Sequence, residues 1–187
     1  HGRYSERAPE AKVQAVPSTN GQLPRTKDLP GLPASRDCDF AYLTHFERRD
    51  GHEELLLETR DAAHSNEALD RLLDYMDAFS RHSIADKGFA ITYDLRGLRI
   101  PSVSMVMKIA AWGNHPDRKE RWGRLNIACK IVFSPGLHYT IGKGLVSIFF
   151  SQCPPIVRTF ILSDPSESEE HAVHFDPAPT AEAPAAR

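Results

Sequence analysis

Gly136-Leu-His-Tyr-Thr-Ile-Gly142-Lys143-Gly144 is the stretch of this chain closest to a phosphate-binding loop. Such a loop needs glycines so that backbone N–H groups can close on a phosphate. It also needs a lysine to reach that phosphate and a Ser or Thr behind the lysine for magnesium. Here five residues rather than four separate Gly136 from Gly142, and a glycine follows Lys143. Nucleotide binding is therefore not expected. The segment reads as a loop entering a helix, with an anion-binding position at the helix start near Lys143. His171 and His174, beside Glu169, Glu170 and Asp176, carry metal-ligating atoms. A metal also needs third and fourth ligands held rigid, which an acidic tail does not supply, so no metal site is expected. Ser166 and Ser168 in the same tail are ordinary targets of acid-directed phosphorylation.

The sequence has no Gly-x-Ser-x-Gly elbow and no His-Glu-x-x-His pair. His45, His52, His64, His82, His115 and His138 are scattered over predicted surface and turns, with no nucleophile placed beside them by spacing. Asp94 ends a predicted strand at its carboxyl end, where α/β folds place ligands. Its preferred role is to cap the turn that follows. The chain reads as non-catalytic, with no cofactor.

Trp112, Arg118, Lys119, Arg121, Trp122 and Arg124 form the most cationic and aromatic patch. Arginine and tryptophan anchors are typical of protein interfaces. Nucleic acid is disfavoured, because 23 Lys and Arg stand against 25 Asp and Glu over the whole chain. The distribution is uneven. Residues 37–93 hold 13 acids and 6 bases, a balance of −7; residues 94–160 hold 3 acids and 10 bases, a balance of +7. Acidic and basic parts of one core that neutralise each other account for this split, and a basic surface for an acidic partner is the sharper alternative.

A length of 187 residues suits one domain with tails. Cys38, Cys129 and Cys153 are odd in number and show no Cys-x-x-Cys spacing. A disulfide framework is not expected, which favours a reducing intracellular compartment. No run is long and apolar enough for a membrane span. A chain that begins at His1 reads as a processed or incomplete product, open to a removed targeting peptide.

The elements that must position these residues follow from periodicity. Residues 1–36, rich in Pro, Ser and Gly, read as an extended arm. Residues 40–59 read as a hairpin around Asp50-Gly51. Leu69, Leu72, Leu73, Met76 and Phe79 mark a helix that starts near Ser65. Phe89–Leu95 is a strand with nearly continuous apolar residues, as expected when helices cover both faces. Ser102 caps a helix over Val103–Trp112, and Asp117–Arg124 adds a charged turn or two. The strand Asn126–Phe133, a helix Tyr139–Ser151 and a last strand Ile156–Leu162 complete the order β-β-α-β-α-β-α-β. The expected fold class is α/β, with a mostly parallel sheet and an N-terminal hairpin over residues 37–163. Residues 164–187 form an acidic, then Ala/Pro-rich tail.

This order, with Asp94-Leu95-x-Gly97-Leu98 after the third strand, resembles the STAS family of anti-sigma-factor antagonists and their relatives. Tyr93-Asp-Leu-Arg-Gly-Leu98 and His115-Pro-Asp-Arg118 with Arg121 are also similar to the related CRAL-TRIO lipid-carrier fold. The STAS resemblance implies a protein-interaction domain switched by serine phosphorylation at a helix start. In this chain that start is Ser102-Val103-Ser104-Met105, so the modified position itself falls on Val103, and Ser102 and Ser104 are the neighbouring candidates. The expected function is a non-catalytic protein-interaction module, an accessory or regulatory subunit anchored by its N-terminal arm. The CRAL-TRIO likeness implies the alternative, a small carrier of lipid or another apolar ligand. A cavity between sheet and helices favours the carrier; a packed core excludes it.

Overall fold

The computed structural model describes residues 28–164, 167 and 172–177. Period-two alternation over Ala41–Glu47 (β2) and Glu53–Thr59 (β3) folds as the expected hairpin. Gly51 takes a positive φ of 81° at its tip, the conformation that a glycine accepts without strain. A parallel run follows: β3, then Phe89–Asp94 (β4), Asn126–Val132 (β5) and Thr159–Leu162 (β6), each paired with the one before. Ser35–Asp37 (β1) and Val173–Phe175 (β7) close the two edges antiparallel.

The result is a seven-stranded mixed sheet in the order β1-β2-β3-β4-β5-β6-β7. The expectation of a mostly parallel sheet is corrected. Half of the pairings are antiparallel, because short edge segments with no strand pattern of their own add to both sides. The domain also starts earlier than expected. Leu32 is 1% exposed, and the Pro33 carbonyl accepts a 2.8 Å bond from the Tyr75 hydroxyl. Residues 28–36, expected in the arm, therefore belong to the folded unit. The rest of the arm, and Ser166, Ser168, Glu169, Glu170 and His171 of the tail, lie outside the described residues.

Four α-helices join the strands: Asn66–Arg81 (α1), Val103–Gly113 (α2), Pro116–Leu125 (α3) and Leu137–Gln152 (α4). Ser65 caps α1 by accepting from the Ala68 amide at 3.0 Å, and Ser102 caps α2 by accepting from the Met105 amide at 3.2 Å. The expected charged turn after α2 is the separate helix α3, entered at Pro116, where the missing N–H costs nothing.

Each parallel crossover steps to the next strand in the same direction. With right-handed crossovers every helix then falls on one face. Leu43, Leu55, Leu57, Ile91, Ile131 and Ile161 face the helices and are buried. Thr44, Leu56, Thr92, Lys130 and Phe160, in register with one another, form the other face and are half-buried. Helices on both faces were expected from the apolar run of β4; among the described residues only one face carries them. Ala90 and Thr92 show why the sequence misled: both are small enough to read as buried strand on either side.

Candidate functional site

The helical layer does not close fully on the sheet. Between them lies a cavity of about 310 Å³. Its floor is Leu57, Tyr93, Cys129, Ile131 and Thr159 of the central strands. Its roof comes from all four helices, with Met76 of α1, Met105 and Ile109 of α2, Trp122 of α3, and Val146 and Phe150 of α4. A second hollow of about 250 Å³ lies outside, between Ile100 and Pro101 before α2 and Leu137 and Ile141 of α4. Leu98, Pro101, Phe133 and Leu145 line both spaces and so form the wall between them. Burial pushes the Cys129 thiol in the floor up to about 12, against a lowering contact with Thr159, so that thiol is neutral at physiological pH. The Tyr93 hydroxyl is likewise held well above its ordinary value by burial.

Trp122 and Asn126 also line the cavity, and neither Trp122 Nε1 nor Asn126 Oδ1 has a hydrogen-bond partner among the described residues. Two charged residues line the cavity, Arg118 and Lys119, both in the first turn of α3.

The six residues expected as an interface divide. Trp122 is 7% exposed and belongs to the core, edge-on to Phe89 at 5.1 Å and to Trp112 at 5.8 Å. Arg118 and Arg121 both bind Asp77 of α1: Arg118 Nε at 3.2 Å and Arg121 through its Nη2, while Arg121 Nε donates to Ser80 Oγ at 3.0 Å. Arg118 also lies over the Trp112 ring at 4.9 Å. These groups fasten α3 to α1 and α2. Lys119 and Arg124 remain exposed, and Trp112 is half-buried. An Arg-Trp-rich sequence looks the same whether it faces a partner or its own neighbouring helix, so spacing could not separate the two.

The other expected positions are also placed. Ser102 and Ser104 are exposed, with their hydroxyls 3.0 Å apart, at the start of α2. Lys143 is not at a helix start. Gly136 occupies the N-cap of α4, which puts Lys143 in the second turn with its ammonium 5.2 Å from the Tyr139 ring. The helix expected from Tyr139 begins two residues earlier, at Leu137, so only the very start of the glycine stretch is loop. Asp94 accepts from the Arg96 amide at 3.2 Å and from its guanidinium Nε at 2.8 Å, which is the turn-capping role expected of it. A Cβ on Gly97 would overlap the Thr59 carbonyl, so glycine is what lets this turn lie against the end of β3. Among the described residues no cluster of His, Cys, Asp and Glu could hold a metal, and no helix is long and apolar enough to cross a membrane.

Two features escaped the sequence reading, and they share one signal. α2 and α4 are apolar on more than one side. One side lines the cavity; the other leaves Val103, Met107, Ile141 and Ile148 exposed. A helix that covers only a packed core shows one apolar stripe.

Comparison with protein-family models, with curated proteins and with solved structures finds no match to this chain.

Proposed function

We propose that this domain is a non-catalytic carrier that holds one small apolar molecule between its helical layer and its sheet. The cavity of about 310 Å³ is the observation that carries the reading. Ligand sites of this kind are mostly apolar hollows of about 300 Å³ or more with few polar groups. A dry engineered cavity of about 150 Å³ accepts benzene, so this space suits a ligand of about a dozen carbons. The likeness of Tyr93-Asp-Leu-Arg-Gly-Leu98 to CRAL-TRIO carriers supports the same reading.

The test is to extract the native protein and identify bound small molecules by mass spectrometry, then to repeat it with Val146→Trp. Val146 is buried in α4 against the cavity, and the larger ring fills that space. A defined apolar ligand on the native chain, absent from the folded variant, is the expected outcome. A protein that emerges empty and takes up no apolar probe rules the carrier out.

A second reading, the protein-interaction module of a STAS-like domain, draws support from a separate observation. Ile100, Val103, Met107, Leu137, Ile141 and Ile148 are exposed along α2 and α4. Residues 95–116 and 121–163 contain no acid, so this side is apolar and weakly basic. Under this reading the contact surface lies there rather than at Trp122. Val103→Asp together with Ile148→Asp then removes a co-purifying protein while cavity occupancy stays unchanged.

A further inference from the structure

We infer that the ligand is an amphiphile with an anionic head, a carboxylate or phosphate, held at the α3 end of the cavity while its apolar tail lies under α2 and α4. This rests on the carrier reading and narrows it. Among the described residues that line the cavity, Arg118 and Lys119 are the charged ones and none is an acid. Lys119 lines the cavity and is also exposed, so it stands at an opening rather than in the interior. Gly113 and Asn114 at the end of α2, and Cys153 and Pro154 after α4, frame the same opening.

The two cations there are not equivalent. Arg118 is held by Asp77 and by the Trp112 carbonyl at 3.2 Å, so its position is fixed. Lys119 makes no ion pair with a described acid, yet it is close enough to act electrostatically on the Cys153 thiol. A cation fixed by its own partners beside one that no described acid pairs, at the mouth of a hollow with no acid among its described lining residues, favours one negative group entering from solvent. Both residues sit in the first turn of α3, whose positive dipole end is already answered by Asp117, so the preference rests on the side-chain cations and not on the helix end. A neutral oxygen can also accept from Lys119, but a charged one gains more from it.

The chemistry needed from Lys119 is a charge-assisted hydrogen bond to a head group that remains partly in water. The tail contributes through burial alone. Head and tail are therefore separable by experiment.

The full 187-residue chain is titrated by calorimetry with dodecanoate, methyl dodecanoate and 1-dodecanol. It is then titrated again as Lys119→Met, an exposed position outside the core, with the fold checked by circular dichroism. Dodecanoate should bind about fivefold tighter than the ester or the alcohol, and Lys119→Met should abolish that margin without weakening the neutral ligands. Dodecyl phosphate in the same series separates the two head chemistries. If acid, ester and alcohol bind the native chain alike, the anionic head is overturned while the carrier reading stands. If none of them binds, the carrier reading falls and this inference falls with it.

Discussion

Gly142 of α4 rests its backbone on the ring of Phe133: a Cβ at position 142 would overlap three atoms of that ring. Phe133 is 4% exposed and forms part of the wall between the cavity and the outer hollow. This close approach sets the height of α4 above the sheet. Gly142→Ala should therefore push helix and ring apart. Overpacking costs about 1–3 kcal/mol, against a gain of about 1 kcal/mol from helix propensity, so a net loss is expected in chemical denaturation. Gly144→Ala, with open space around the added carbon, should instead stabilise by up to about 1 kcal/mol. Equal effects at the two positions would show that the ring moves aside freely.

Asp77 gathers Arg81 at 2.8 Å, Arg118 at 3.2 Å and Arg121. Burial pushes its carboxyl up, but the bond from Arg81 and the charges of Arg121, Arg81 and Arg118 outweigh that and hold it below its ordinary value. A carboxylate with a lowered folded value adds stability above its unfolded value of about 3.9 and loses it as pH falls through the folded one. Asp77→Asn should cost about 2 kcal/mol near pH 7, because Arg121 is left partly buried without a charge partner. The deficit should shrink below about pH 4. Denaturation midpoints from pH 2 to pH 7 check this; a deficit that does not change with pH would assign the loss to packing alone.

Cys153 should be the thiol that reacts. Cys38 and Cys129 are buried, whereas Cys153 is half-exposed at the opening. Burial still raises its thiol above the ordinary value, with Lys119 pulling the other way, so alkylation should be slow at neutral pH and quicken as pH rises. Timed iodoacetamide labelling with peptide mass spectrometry reads this. Labelling of Cys129 ahead of Cys153 would mean that the sheet opens before the cavity mouth does.

Glu58 faces Asp94 across β3 and β4. Burial raises its carboxyl first, and Asp94 raises it further. A raised carboxylate destabilises the fold once pH exceeds its unfolded value, since its ionised form is the disfavoured one. Glu58→Gln should therefore raise the melting temperature at pH 7 by an amount equivalent to less than about 1 kcal/mol, with the gain vanishing at pH 4. A lower melting temperature at pH 7 would show that Glu58 is held by Arg60 and Arg96 instead.

The elements were legible in the sequence where one pattern dominated. Leu69, Leu72, Leu73 and Met76 mark α1 without ambiguity, and Asp50-Gly51 marks the hairpin. β1 and β7 were not legible, because Ser-Arg-Asp and Val-His-Phe become strands only when a neighbouring edge offers its hydrogen bonds. The cavity was hidden for a different reason. Met105, Ile109 and Val146 are ordinary core residues by type, and an empty space between such residues depends on how far apart their backbones are held. The cationic pair was visible but misassigned: Arg118 and Arg121 answer to Asp77, 41 and 44 residues earlier in the chain, and no local spacing reveals that.

The one-sided layering divides the domain mechanically. Strands β2 to β6 are tied by a continuous backbone ladder with one register shift, between Phe89 and Ala90 of β4, while the helices pack on them through side chains. Any loosening of the helices against the sheet would therefore disturb side-chain packing before it reached the ladder bonds. In hydrogen exchange the sheet amides should serve as the slow reference against which the amides of α2 and α4 are read.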